Sequence, residues 1–336
     1  MNVKPADGEA TLTERRLISI VVPMLNEAEG LTALLERLHP VLADLEARYR
    51  FEVLFIDDGS TDGSFEMIRR LATEDARIRA IRLSRNFGSH LAITAGLEHA
   101  LGDAAIILTA DLQEPPESIP AFIARWEEGN QIVWGVRAQR NDEGRLDHAF
   151  SRAFTAVTRS GPEMRGYPEE GPSAYLLADR VVIESMRGFG ERNRMILGVL
   201  AWTGFQTTTL EYVQEARHAG KSNWSVGKKV KLTVDALVSF SYTPIRIASL
   251  LGIIISVVAF LYAAVIVVLA ATGTVTATGF PTLLAVVLFL GGVQLLFLGI
   301  LGEYLWRALD EARHRPLYLI AEQVPAPSTA PRRTSN

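Results

Sequence analysis

Between Ile247 and Gly302 the chain carries no Asp, Glu, Lys or Arg. A helix packed in a soluble core rarely stays apolar on every side for such a length. The interval divides at Thr272–Gly279, a Thr/Gly turn, into Ile247–Ala271 and Phe280–Gly302. Each piece exceeds the roughly 20 apolar residues that cross a bilayer as a helix, so two transmembrane helices are predicted. Lys228, Lys229, Lys231 and Arg246 precede the first, and Arg307, Arg313 and Arg315 follow the second. Cationic flanks favour the cytoplasmic side. The expectation is a multi-pass protein of the inner (cytoplasmic) membrane with its large N-terminal part in the cytosol.

That part is long enough for a sizeable core, since the whole chain has 336 residues. A net charge of −4 gives no basic excess for nucleic acid, and the absence of cysteine excludes disulfides and thiolate metal sites. The polar segment 1–16 has no apolar stretch of the kind a signal peptide needs and is expected to be flexible.

Short apolar runs then alternate with helical patterns. Leu17–Val22 stops at Pro23, Phe51–Ile56 delivers Asp57-Asp58-Gly-Ser-Thr-Asp62, and Ile78–Leu83 leads into Ser84-Arg-Asn-Phe-Gly88. Leu31, Leu34, Leu35, Leu38, Leu42 and Leu45 recur at helical spacing. This alternation predicts βαβ units and a parallel sheet. Further strands are expected at Ala104–Leu108, Gln131–Gly135, Ala174–Leu177 and Thr207–Val213. No GxGxxG follows the first strand, which argues against a dinucleotide fold of the glycine-fingerprint kind.

The run Ala104–Leu108 ends in Thr-Ala-Asp-Leu-Gln-Glu-Pro-Pro-Glu117, placing Asp111 and Gln113 just beyond the carboxyl end of a central strand. Ligands of open α/β sheets bind there. One carboxylate and one side-chain carbonyl suit Mg²⁺ or Mn²⁺ holding a diphosphate; the alternative is a solvated acidic turn. Pro23–Glu27 and Asp57–Asp62 should converge on the same edge, giving acceptors for a base, a ribose and a cation, although Asp58, Ser60 and Asp62 could serve only as helix caps. Arg137 and Arg140 follow the fifth strand and could hold phosphate through the guanidinium fork. Arg217-His-Ala-Gly-Lys221-Ser222 is a basic Gly/Ser loop able to cradle a phosphate. After it Val226, Val230, Val234, Leu237 and Val238 make one apolar face, read as an interfacial helix, with a packed core helix as the competing reading.

Taken in order, Val22-Pro-Met-Leu-Asn-Glu27, Ile56-Asp-Asp-Gly-Ser-Thr-Asp62, Leu83-Ser-Arg-Asn-Phe-Gly88, Ala110-Asp-Leu-Gln-Glu-Pro-Pro-Glu117, Trp134-Gly-Val-Arg137 and Arg217-His-Ala-Gly-Lys-Ser222 resemble glycosyltransferase family 2, in its membrane-attached polyprenyl-phosphate branch. The resemblance implies a GT-A-type α/β fold, a mostly parallel sheet flanked by helices. It implies an inverting hexosyltransferase that uses a nucleotide-diphosphate sugar, with UDP-sugar favoured, a divalent metal and a polyprenyl phosphate, undecaprenyl phosphate being the expected acceptor. It puts the nucleotide on Pro23, Asn26, Glu27, Asp57 and Asp58, the metal on Asp111 and Gln113, and phosphate-binding cations at Arg137, Arg217 and Lys221 with Ser222. The implied organisation is a catalytic domain over 17–224, an interfacial helix over 225–244, a transmembrane hairpin over 245–306 and a tail over 307–336, disordered at its end. A two-helix membrane segment is small, so homo-oligomerisation is plausible.

Two positions depart from the family pattern. Thr109 stands where many relatives have an Asp, leaving an ion one carboxylate fewer, and Ser173 stands near where many have an acid, for which Glu169 or Glu170 would have to substitute. These departures motivate a different class of reading, a non-catalytic membrane adaptor with a degenerate nucleotide pocket. A processive polysaccharide synthase is a further alternative, but the chain lacks the additional membrane helices and the Gln-x-x-Arg-Trp motif it would need.

Overall fold

The computed structural model describes residues 15–138, 166–169, 173–187, 189, 195–215, 243–272 and 279–324. The chain divides into two units, Met1–Ser225 together with Pro316–Asn336, and Val226–Arg315.

The first unit is built on strands too apolar to face water on either side. β1 (Arg16–Met24), β2 (Tyr49–Asp57) and β4 (Ala104–Ile107) bury Ile18, Ile20, Val21, Val22, Val53, Phe55, Ile106 and Ile107 completely. Helices must then cover both faces. Between β1 and β2 runs α1 (Leu31–Leu45), whose Leu31, Leu34, Leu35, Leu38 and Leu42 form the buried stripe read from their spacing. α2 (Ser64–Glu74) leads to β3 (Ile78–Leu83), and α3 (Ser89–His99) leads to β4. α3 lies so close to the sheet that a Cβ on Gly96 would stand 2.2 Å from Val21 Cγ1. A short 3₁₀ turn, Pro116–Ser118, opens α4 (Ile119–Glu127), followed by β5 (Ile132–Arg137), β6 (Leu176–Asp179), α5 (Arg180–Met186), α6 (Ile196–Trp202) and β7 (Thr207–Tyr212).

The strand order is β7-β5-β6-β4-β1-β2-β3-β8, with β8 at Ile320–Val324. β1–β2, β1–β4, β2–β3 and β5–β7 are parallel, whereas β4–β6, β5–β6 and β3–β8 are antiparallel. The sheet is mostly parallel, as expected, and it takes antiparallel pairings at two places. β6 covers Leu176–Asp179 rather than Ala174–Leu177 and is wedged in reverse between β4 and β5. Two reversals restore direction, so β5 runs the same way as β4 and the carboxyl ends of β1, β2, β3, β4, β5 and β7 share one rim. β5 also extends further than expected, making Arg137 its last residue.

The second place is β8. Ile-Ala-Glu-Gln-Val alternates as a half-buried edge strand does, and it pairs with β3 from Leu83↔Ile320 to Ala80↔Val324. Ser84 N–H donates to the Leu319 carbonyl, Arg69 pairs with Glu322 at 2.5 Å, and Tyr318 OH donates to Glu98 at 2.6 Å. This part of the tail, to which the sequence assigned no strand, thus covers the edge of β3, which would otherwise present unpaired backbone groups.

In the second unit, α7 (Thr243–Ala271) and α8 (Phe280–Ala312) contain the two charge-free segments. α8 runs past Gly302 and takes in Glu303, Asp310 and Glu311. Phe260 and Leu295 are about three-quarters exposed. Among the described residues, one helix, Phe289–Ala312, is long and apolar enough to cross a membrane, and Leu250–Tyr262 is a shorter apolar helix. The expected interfacial helix over 225–244 lies almost wholly outside the described residues.

Ending the chain at Arg315 removes β8 and bares β3. The loss should be about 2 kcal/mol, lowering the melting temperature of the first unit by ~4–8 °C, with concentration-dependent aggregation in light scattering. Unchanged melting and scattering would show that β8 does not protect the edge.

Candidate active site

The rim is organised by hydrogen bonds between the loops that leave β1 and β2. Asn26 N–H donates to Ser60 Oγ (2.9 Å), Glu27 N–H to Ser64 Oγ (3.0 Å) and Ala28 N–H to Asp62 Oδ2 (3.1 Å). In return, Thr61 N–H donates to Asn26 Oδ1 at 2.9 Å. Asn26 adopts φ 57°, a left-handed conformation that Asn tolerates better than most residues. Pro23 is within β1, paired with Ile56, and half-buried.

The acidic pair divides its work. Asp57 is fully buried; its Oδ1 accepts Ser60 N–H at 2.9 Å and its Oδ2 lies 3.3 Å from Arg82 Nε. Asp58 reaches the next loop, accepting Phe87 N–H (2.7 Å) and Gly88 N–H (2.8 Å). Burial pushes the Asp58 carboxyl upward, helped by Asp57, while these two donors oppose the shift. Asp62 takes the local role allowed by the capping alternative, accepting Ser64 N–H at 3.0 Å, although no side chain caps α2 from Gly63 itself. Burial raises the Asp62 carboxyl, but hydrogen bonds from Ser64 and Ala28 outweigh it and hold the group low.

Gly59 is indispensable to this arrangement. Its φ is 80°, and a Cβ there would stand 2.7 Å from the Arg85 carbonyl carbon. Both the left-handed backbone and the close approach of the β3–α3 loop select glycine.

Beyond β4, Asp111 is nearly buried, with Gln113 half-buried beside it. Asp111 Oδ1 accepts from Thr109 Oγ1 (2.7 Å) and from Gln113 N–H (3.3 Å). Between them Leu112 holds φ 59° with its side chain buried. For a bulky residue this costs on the order of 1–3 kcal/mol and persists where surrounding packing enforces it.

Sequence reasoning missed Glu114, which lies under this turn. Its Oε2 accepts Thr109 N–H (3.0 Å) and is 2.5 Å from Thr109 Oγ1. Burial pushes its carboxyl up to about 7; the Thr109 hydrogen bonds and the Arg137 charge oppose the shift, and Asp111 adds to it. One Thr109 hydroxyl proton cannot serve both carboxylates. A protonated Glu114 can donate to Thr109 Oγ1 while Thr109 donates to Asp111. Thr109, the apparent departure from an acidic motif, therefore links the two acids.

Aromatic packing supports the same turn. Tyr175, completely buried, donates its OH to the Pro115 carbonyl at 2.9 Å and packs against Phe122 and Tyr212. Burial raises both tyrosines well clear of ionisation near neutrality. Ser173 ties this segment to β5, donating N–H to the Gly135 carbonyl and accepting Tyr175 N–H, both at 3.0 Å. It takes a structural position, while Glu169 is exposed and Glu170 lies outside the described residues. Asp179 and Arg180 are remote from the rim: Asp179 pairs with Ala104 at the start of β4 and caps α5 through Val181 N–H (2.8 Å).

The rim therefore brings together Pro23, Asn26, Glu27, Asp57, Asp58, Asp111, Gln113 and Arg137. Arg140, Arg217, Lys221 and Ser222 lie outside the described residues. No group of three or more His, Asp or Glu side chains placed to hold a metal occurs among the described residues. Asp111 and Gln113 offer hard oxygen donors, a set that fits Mg²⁺ or Mn²⁺ sharing its coordination with phosphate and water.

Residues 19–192 match the family model described as Glycosyl transferase family 2. The chain belongs to glycosyl transferase family 2. Its fold is α/β, a mostly parallel sheet flanked by helices. It is similar to "Uncharacterized glycosyltransferase YkcC" of Bacillus subtilis (strain 168), with 37% identity over 90% of this chain and 92% of that protein. It is also similar to "Bactoprenol glucosyl transferase" of Shigella phage SfV, 36% identical over 91% of this chain and 98% of that protein. "Prophage bactoprenol glucosyl transferase homolog" of Escherichia coli (strain K12) is 36% identical over 90% and 98% respectively.

Two substitutions test the geometry. Gly59→Ala should destabilise the catalytic part by about 1–3 kcal/mol through strain and backbone collision. Thr109→Val keeps the shape but strands buried Glu114, with an expected loss of about 1–3 kcal/mol. Denaturant titration measures both, and wild-type midpoints would contradict the assigned contacts.

Proposed function

We propose that this glycosyltransferase moves a sugar, glucose being the first to test, from a nucleotide diphosphate, UDP favoured, to a bactoprenol-type polyprenyl monophosphate. The setting is the cytosolic face of the inner membrane. The observation that carries this reading is the shared rim, where acceptor groups at the ends of β1 and β2 meet the Asp111–Gln113 turn beyond β4 and Arg137 at the end of β5. Near full-length similarity to proteins named bactoprenol glucosyl transferase supports the acceptor class.

In this reading Pro23, Asn26, Glu27, Asp57 and Asp58 receive the nucleotide, Asp58 through the loop it braces. Asp111 and Gln113 would hold Mg²⁺ or Mn²⁺, whose charge would offset that of the leaving diphosphate. Arg137, joined by Arg140, Arg217, Lys221 and Ser222, receives the acceptor phosphate. A phosphate monoester has a second pKa near 6 and is largely dianionic at neutral pH. Its oxygen forms the bond to the anomeric carbon as the carbon–oxygen bond to the diphosphate breaks, and the nucleoside diphosphate leaves with the electron pair. No proton has to be removed from the nucleophile, so positioning and charge screening are the main tasks.

The exposed apolar side chains of α7 and α8 support insertion of 245–306 as a hairpin, with 225–244 at the interface and 17–224 as the catalytic domain. The test is a panel of nucleotide sugars incubated with undecaprenyl phosphate, with and without chelator, and read by lipid mass spectrometry. A polyprenyl-phosphate hexose should form, disappear with chelator, and be lost in a membrane-inserted Asp111→Ala protein. Arg137→Ala should lower turnover by about a hundredfold or more, from an interaction of ~4 kcal/mol between unit charges at 4 Å and an effective dielectric of 20. Glycolipid formation that survives Asp111→Ala would overturn the metal assignment. Its absence with every donor, together with no protection by nucleotide diphosphates, would favour the adaptor.

A further inference from the structure

Arg37, on α1, carries two carboxylates on one guanidinium. Its Nε and Nη2 donate to Glu117 at 3.0 and 2.6 Å, and its Nη1 and Nη2 donate to Glu215 at 2.7 and 2.9 Å. The two acids enter from different strands: Glu117 closes the segment that follows β4, and Glu215 is three residues beyond β7. Glu215 N–H also donates to the Gln113 carbonyl at 3.0 Å. The segment that follows Asp111 is therefore held at two points from one cation, directly at Glu117 and by way of Glu215 at Gln113.

We infer that Arg37 is a positioning residue for the divalent-cation turn, setting the placement of Gln113 relative to Asp111 through the Arg37–Glu117 and Arg37–Glu215 forks. Its neutralisation should loosen metal binding before it affects folding. The inference rests on the metal reading of Asp111 and Gln113 given above. A guanidinium suits the task because its planar fork fixes two carboxylates in direction as well as distance. Lysine would preserve the charge without that geometry. The turn has reason to need external support, since Leu112 holds a left-handed backbone between the two candidate ligands.

The test is Mn²⁺ titration of the full-length protein in detergent, with and without UDP, followed by electron paramagnetic resonance of the free ion. Thermal melting is recorded in parallel. Arg37→Ala should weaken Mn²⁺ binding by about tenfold, as expected when two partly exposed forks are lost. Arg37→Lys should fall between it and wild type. Glu215→Gln, which keeps the side-chain shape, provides an independent arm should Arg37→Ala not fold. The double variant Arg37→Ala/Glu215→Gln should lose little more than Arg37→Ala alone, because the two act through one contact. Wild-type Mn²⁺ affinity in folded Arg37→Ala or Glu215→Gln protein overturns the positioning role while leaving the metal site standing. Absence of Mn²⁺ binding in the wild type overturns the metal reading itself, and this inference with it.

Discussion

Parallel pairing of β1 with both β2 and β4 is the constraint from which the site follows. Ile18, Ile20, Val21 and Val22 are buried because the strand is central, and a central parallel strand commits its neighbours to the same direction. Three loops then leave the sheet on one side, and their polar residues can bond to one another. The Ser60, Thr61, Asp62 and Ser64 contacts to Asn26–Ala28 require that shared exit. A one-residue slip of β2 would turn its alternating side chains over and draw the acidic pair away from the rim.

The legible parts of the sequence were those governed by short-range physics. Apolar runs closed by Pro23, by Asp57 or by the polar turn after Leu108 announced strands and their outlets, and the leucine spacing announced α1. The reversed strands were harder to read. β6 has only four residues, and its direction depends on which neighbours it meets rather than on its own composition. β8 carries a modest alternation, and its partner β3 is more than two hundred residues earlier in the chain.

The site divides in the same way. Asp111, Gln113, Asp57, Asp58 and Arg137 could be named because each follows an apolar run. Glu114 stood in the quoted motif, but nothing local distinguished a buried acid from a solvated one. Its environment comes from Thr109 above it and from the aromatic group Phe122, Tyr175 and Tyr212, contributed by α4, the approach to β6 and the end of β7. Arg37 was invisible for a related reason: among the leucines of α1 it reads as a residue of the solvent face, and its two partners are 80 and 178 positions away. Long-range ion pairs leave no periodic trace.

Because β8 rejoins the unit that β1 to β7 began, the apolar helices form an excursion anchored at both ends. A chain that departs from one folded body and later completes that body's sheet has both anchor points on one side of any barrier. The chain entering α7 and the chain leaving α8 are thus committed to one folded body, whatever path the helices take between them. The five residues Ile320–Val324 thus fix where the chain must return after α8, a constraint that neither helix's own hydrophobicity could supply.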